Sequence, residues 1–172
     1  MQMTIYHADC VGRASNCEYP HKVVVADGDS IKDVVAYDHV CAAYKNNYRN
    51  NDNFIESDVI PMDIDNDHSD SPQDWITEDE MEDMFANIDY VLVPSRHHML
   101  AKDGKAPRPK YHVYFPISIC RDKEVYTAKK VAIQKVYPFF DDNALDAGRF
   151  LFGADADDVV WHEGWMSIEE EV

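Results

Sequence analysis

The chain has 172 residues, with 33 acidic and 16 basic side chains and a formal net charge of −17. That length suits a single domain with a real core, and a hydrophobic share of 45% with 12% aromatics excludes wholesale disorder. No apolar run approaches the length of a bilayer span, so no membrane partner is expected.

The opening MQMTIYHADC lacks the basic start and apolar stretch of a secretory signal. A cytoplasmic setting with four reduced cysteines (Cys10, Cys17, Cys41, Cys120) follows from this. His7, Cys10, Cys17 and His21 are spaced too widely for a standard zinc knuckle. Residues 22–25 (KVVV) predict a short strand, followed by a turn at Asp27-Gly28-Asp29. Ser30 is placed to cap a helix running to about Tyr48, with Ile31, Val34, Val35, Val40, Ala43 and Tyr44 near helical spacing. On that helix Lys45 and Arg49 are open to nucleic acid or simply to solvent. Ser57 to Asp65 (SDVIPMDID) predicts a strand that ends in carboxylates. Thr77 followed by Glu80 has the spacing of a capping box for a helix over roughly 78–87. A strand over Tyr90–Pro94, a basic loop to Lys110, a strand over Tyr111–Ile117, a helix around 123–136, a turn at 141–148 and a strand RFLFG complete the chain. Helices and strands alternate, so the expected class is α+β or mixed α/β.

Charge is distributed unevenly along these elements. From Asp52 to Tyr90 there is no Lys or Arg, whereas Arg96 to Lys135 holds ten of the sixteen basic residues and only three acids. One stretch is suited to cations and the next to phosphates, or the two are solvated faces of opposite sign.

Three constellations carry candidate chemistry. In Met62-Asp63-Ile64-Asp65, strand alternation puts both carboxylates on one face and the apolar residues on the other. Two neighbouring carboxylates call for a cation between them, and Mg²⁺ or Mn²⁺ prefers such oxygen ligands. Asp63, Asp65 and Asp67 also alternate as in a calcium loop, but His68 stands where glycine is needed and Asp74 where glutamate is needed. In Arg108-Pro109-Lys110-Tyr111-His112-Val113-Tyr114-Phe115, alternation sets Lys110, His112 and Tyr114 on one face. Arg108 shares that parity, and such a row suits a triphosphate as well as it suits an exposed basic strand. Phe140-Asp141-Asp142, then Leu145-Asp146-Ala147-Gly148-Arg149, offers a third acid before a tight turn and an arginine after it.

Taken in order, Met62-Asp63-Ile64-Asp65-Asn66, Lys110-Tyr111-His112 and Phe140-Asp141 resemble the three motifs of the archaeo-eukaryotic primase superfamily: hDhDh, sxH and hD, where h is hydrophobic and s small. The resemblance spans roughly residues 37–153 and is of the phage and mobile-element type, with Lys110 standing where a small residue is usual. It implies a catalytic sheet of the RNA-recognition-motif type packed with helices, joined to a smaller N-terminal α/β unit, all within one primase-polymerase domain (1–172) of the kind that longer chains also carry. The implied activity is template-directed nucleotidyl transfer by a DNA primase or DNA polymerase using two Mg²⁺ or Mn²⁺ ions. On this basis Asp63, Asp65 and Asp141 hold the metals, with Asp146 the second choice for the third acid. Arg108, Lys110, His112 and Arg149 bind the nucleoside triphosphate, helped by Ser95 and Arg96, while His97 and His98 are left unassigned. The implied partners are a nucleic-acid template and primer, together with a helicase or helical priming domain. Two other classes remain open: a different DxD metal enzyme (nuclease or glycosyltransferase) and a non-catalytic nucleic-acid-binding module.

Overall fold

A computed structural model describes residues 1–172. The fold is α+β, with two sheets that are antiparallel throughout. The first sheet contains β1 (Met3–His7), β2 (His21–Val25), β3 (His39–Val40) and β8 (Phe150–Leu151), in the order β2-β1-β3-β8. The second contains β4 (Ala43–Tyr44), β5 (Phe54–Ile64), β6 (Tyr90–Pro94), β7 (Tyr111–Cys120) and β9 (Val160–His162), in the order β4-β5-β7-β6-β9. The helices are α1 (Gly28–Val35), α2 (Glu78–Met84) and α3 (Lys123–Val136). No helix is long and apolar enough to cross a membrane.

The second sheet follows from the alternation in its strands. β5 and β6, joined through α2, are both antiparallel to β7 and enclose it, which is a split β-α-β unit. Ile60, Met62, Ile64, Leu92, Val113 and Phe115 form one face, buried with Phe85 and Met81 around α2 and with Tyr126 and Ile133 of α3. Val59, Val91, Val93 and Tyr114 form the other face and pack against Met3, Ile5, Val25 and α1 of the N-terminal unit. The carboxylates of β5 belong to this second face, so they sit between the two units. Burying both faces explains why these strands are nearly continuous apolar runs.

The helix expected from Ser30 to about Tyr48 is much shorter. Asp27, not Ser30, caps α1: its side chain accepts from the Ser30 amide at 2.8 Å, and Ser30 Oγ accepts from the Asp27 amide at 3.2 Å. The helix ends at Val35 because the next residues have stronger long-range partners. Asp38, fully buried, accepts from the amides of Gly12, Arg13 and Gly153, each at 2.8 Å, and His39-Val40 fills the gap between β1 and β8. The helical spacing of Val40, Ala43 and Tyr44 is therefore coincidental. α2 stops three residues earlier than expected, where Ile88 turns to bridge Met166. The strand expected over RFLFG pairs only at Phe150-Leu151, while α3 matches its expected span and is capped by Asp122, which accepts from the Val125 amide at 2.9 Å. β1 and β9 were not anticipated from the sequence.

Candidate active site

β5 delivers Asp63 and, one residue past its end, Asp65, to the face opposite the helices. β7 runs alongside in register, with Asp63 opposite His112. Asp141 joins them because its amide donates to the Asp63 carbonyl at 2.9 Å and Phe140, buried at 1% exposure, bridges to Ile64. Asp63, Asp65 and Asp141 thus line one cavity of about 240 Å³, together with Ser95, Arg96, His97, Lys102, Lys110, His112, Arg149 and Phe152. Asp65 and Asp141 also line an adjoining cavity of about 400 Å³ that contains Asp67, His68 and Asp142.

Each acid has a distinct electrostatic setting. Asp63 is 5% exposed. One of its oxygens accepts from Arg149 Nη2 at 2.5 Å, while the other, Oδ1, is buried with no donor and lies 3.4 Å from His112 Nε2. Burial raises its pKa, a shift that Arg149 opposes without cancelling. Burial raises Asp65 in the same way, opposed by Lys110. Lys110 Nζ reaches the Asp65 carbonyl at 2.9 Å, Asp65 Oδ1 at 3.4 Å and Asp67 Oδ1 at 3.1 Å. Burial and the Arg149 and Arg96 charges push His112 down to about 3, so at neutral pH it is uncharged. Behind it, the buried His39 Nε2 meets Tyr114 Oη at 2.7 Å and its Nδ1 meets the Tyr37 carbonyl at 2.7 Å. Burial lowers this ring to about 4, so Nδ1–H donates and the tyrosine hydroxyl donates in turn to Nε2.

A buried carboxylate oxygen without a donor is an expensive feature unless something cationic meets it. An all-oxygen donor set with one such orphan fits Mg²⁺ or Mn²⁺. No three His, Cys, Asp or Glu side chains are gathered closely enough to form an ion cage by themselves. Mg²⁺ commonly uses one or two carboxylates and completes its shell with water and substrate phosphates, so the residues fit an ion that arrives with a phosphate ligand.

Structural comparison gives one match. The fold is similar to the AEP domain of the cyanophage S-2L primase-polymerase. The two chains are 11% identical with a TM-score of 0.48, over 89% of this chain and 72% of that one. No family model and no curated protein matches the sequence.

Two of the expected site residues lie elsewhere. Arg108 is 1% exposed, and its guanidinium is committed to the loop after β5: Nη1 donates to the Asn66 and Ser69 carbonyls at 2.9 and 3.0 Å, and Nη2 to Asp70 at 3.0 Å. Its alternation parity was correct, but Pro109 interrupts the strand and β7 starts only at Tyr111, so parity does not carry back to Arg108. Arg108 anchors this loop and does not line the cavity that holds Asp63, Lys110 and His112. Asp146 is exposed on a different cavity, with Asn51, Lys123 and Thr127, whereas Asp141 lines the cavity of Asp63 and Asp65.

Other residues came into view only with the structure. Lys102 reaches the cavity because Asp103-Gly104, both at positive φ (53° and 76°), make a two-residue hairpin turn between Lys102 and Lys105. A DG pair between lysines was the available signal. His97 lines the cavity, whereas His98 Nδ1 lies 3.1 Å from the Lys110 backbone and is structural. Arg96 lies over the Phe152 ring, 3.7 Å from its centroid, which fixes its plane.

Proposed function

We propose that this chain is the catalytic domain of a template-directed nucleotidyltransferase of the primase-polymerase kind, acting on nucleoside triphosphates with Mg²⁺ or Mn²⁺. The observation that carries this is the two-signed cavity: a buried carboxylate with an orphaned oxygen, two further acids beside it, and Arg96, Lys102, Lys110 and Arg149 around the same space. An acid-only pocket would suit a bare cation and a basic-only pocket a bare anion. Acids and bases together suit a metal-bound polyphosphate.

In this proposal Asp63, Asp65 and Asp141 hold the ions, which when bound acidify the attacking hydroxyl and neutralise the leaving pyrophosphate. Arg149 and Lys110, paired here with Asp63 and Asp65, would be the cations available to the phosphates. Arg96, held over the Phe152 ring, needs little reordering to grip a phosphate edge. His112, neutral and 3.4 Å from Asp63 Oδ1, offers an N–H to a phosphate oxygen without adding charge.

The test is incubation with primed template, labelled nucleotides and Mg²⁺ or Mn²⁺. The wild type should extend the primer, and Asp63→Asn with Asp65→Asn should lower incorporation by on the order of a hundredfold or more while staying folded. Unchanged incorporation in that variant would sink the proposal. Metal-dependent shortening of the primer without nucleotides would mark a nuclease instead.

A further inference from the structure

None of the chain's 33 acids falls in segments 10–17, 39–51 or 147–153, although acids are nearly a fifth of the residues overall. These three segments are distant in sequence, and the fold brings them together. The Arg49 amide donates to the Cys17 carbonyl at 2.8 Å, and Arg49 Nη1 to the Gly148 carbonyl at 2.9 Å. Tyr44 Oη donates to the Ala147 carbonyl at 2.6 Å. Asp38, an acid at their junction, is fully buried with its oxygens spent on the Gly12, Arg13 and Gly153 amides, while Asp63 pairs with Arg149 and the exposed Glu18 is bridged to Tyr48 at the outer end. The assembled patch carries Arg13, Lys45, Arg49 and Arg149.

Its centre is a row of two adjoining rings flanked by cations, and it starts in the cavity described above. Arg96 lies over Phe152 at 3.7 Å, Phe152 meets Phe150 edge-on at 5.0 Å, and Arg49 lies over Phe150 at 4.6 Å. Phe150 lies on the edge strand β8 and Phe152 one residue past its end, with Leu151 between them buried. The loop bearing Arg13 closes against Arg96, since a Cβ on Gly12 would lie 3.5 Å from Arg96 Nη1. Beyond Arg49 lie the exposed Lys45 and the 46%-exposed Tyr48.

The geometry points to this strip, from Arg96 across Phe152 and Phe150 to Lys45, as a track for single-stranded nucleic acid leading into the cavity. Guanidinium groups and rings at stacking distance serve unpaired bases, and the cations that flank them serve phosphates one at a time. A duplex presents phosphates but hides its base faces, so the aromatic half of the row favours a single strand. The inference rests on the nucleotidyltransferase proposal for what the strand is, a template, while the surface itself is testable without catalysis.

The experiment is fluorescence anisotropy of a labelled oligothymidylate with the full chain in chelator, across a salt series. Arg13→Glu with Lys45→Glu alters two exposed residues outside the cavity and should weaken binding at least tenfold. It should also reduce the salt slope by about 1.4, at roughly 0.7 per lost phosphate contact. Phe152→Ala should weaken binding with little change in slope. Lys22→Glu, a single charge reversal on the opposite edge strand β2, should leave binding as in the wild type. Equal loss in Lys22→Glu, no loss in the Arg13/Lys45 variant, or tighter binding of duplex than of single strand would each overturn the track. Strand binding with no nucleotide incorporation would refute the proposed activity and leave the track standing. Incorporation with binding indifferent to Arg13 and Lys45 would do the reverse.

Discussion

Arg149→Ala should destabilise the protein in a way that depends on pH. The arginine is the closest partner of a carboxylate whose side chain is only 7% exposed. Removing one member of a fully enclosed ion pair costs about 3–5 kcal/mol, because the other charge is left without compensation. Arg149 is itself 31% exposed, and the buried Lys130, whose pKa burial lowers to about 8, still acts on Asp63. Both lessen the penalty, to about 2–3 kcal/mol, or a fall in Tm of roughly 5–10 °C for a chain of this size. The folded-state pKa of Asp63 is already raised by burial, and losing Arg149 raises it further. A carboxyl with a raised folded pKa binds more protons folded than unfolded, so its contribution to stability falls as pH rises. The deficit of the variant should therefore be greatest above the new folded pKa, shrinking as pH falls through it toward the unfolded value near 3.9. Denaturant melts of wild type and variant at about pH 4.5 and about pH 7.5 measure this. Asp63→Ala in the same background should recover part of the loss, since it removes the stranded charge. A deficit equal at both pH values, or a double variant weaker than Arg149→Ala by the full cost of Asp63→Ala, would refute the pairing.

Asp141→Asn should lose nucleotide incorporation and Mn²⁺ binding, while Asp146→Asn, on a different cavity, keeps both; the opposite pattern would move the metal site by one element. Arg108→Ala should cost about 2–4 kcal/mol by leaving loop carbonyls and Asp70 without their buried donor, with the KM for nucleotide unchanged below the melting transition. Loss of nucleotide affinity without loss of stability would return Arg108 to the substrate.

What was legible in the sequence was what short-range periodicity controls. The period of two in Met62 to Asp65 and Tyr111 to Phe115 placed the acids and His112 on one face and the apolar residues on the other, as the structure has them. The third acid was legible down to a choice between Asp141 and Asp146, since both follow a hydrophobic residue. What separates them is the bond from the Asp141 amide to the Asp63 carbonyl, a contact across 78 positions that no local pattern encodes. The long helix expected after Ser30 failed for the same reason, because Asp38 and His39 are held by residues 10–13 and 150–153. Arg108 shows the limit of parity: a proline before the strand cancelled the alternation, and the side chain went to the nearest cluster of free carbonyls.

The position of β8 has a consequence for how the chain is made. The N-terminal sheet has three strands from the first forty residues and its fourth from Phe150-Leu151, with four of the second sheet's five strands threaded between them. Synthesis proceeds at about 5–20 residues per second, so β3 waits several seconds with an unpaired edge before its neighbour emerges. Asp38 waits as well, since the Gly153 amide is among the last it receives. The N-terminal unit therefore cannot mature first and stand alone as a folding intermediate with closed hydrogen bonding. It is completed from the far end, and a nascent chain halted near residue 145 would present a bare strand edge to chaperones or to its own copies.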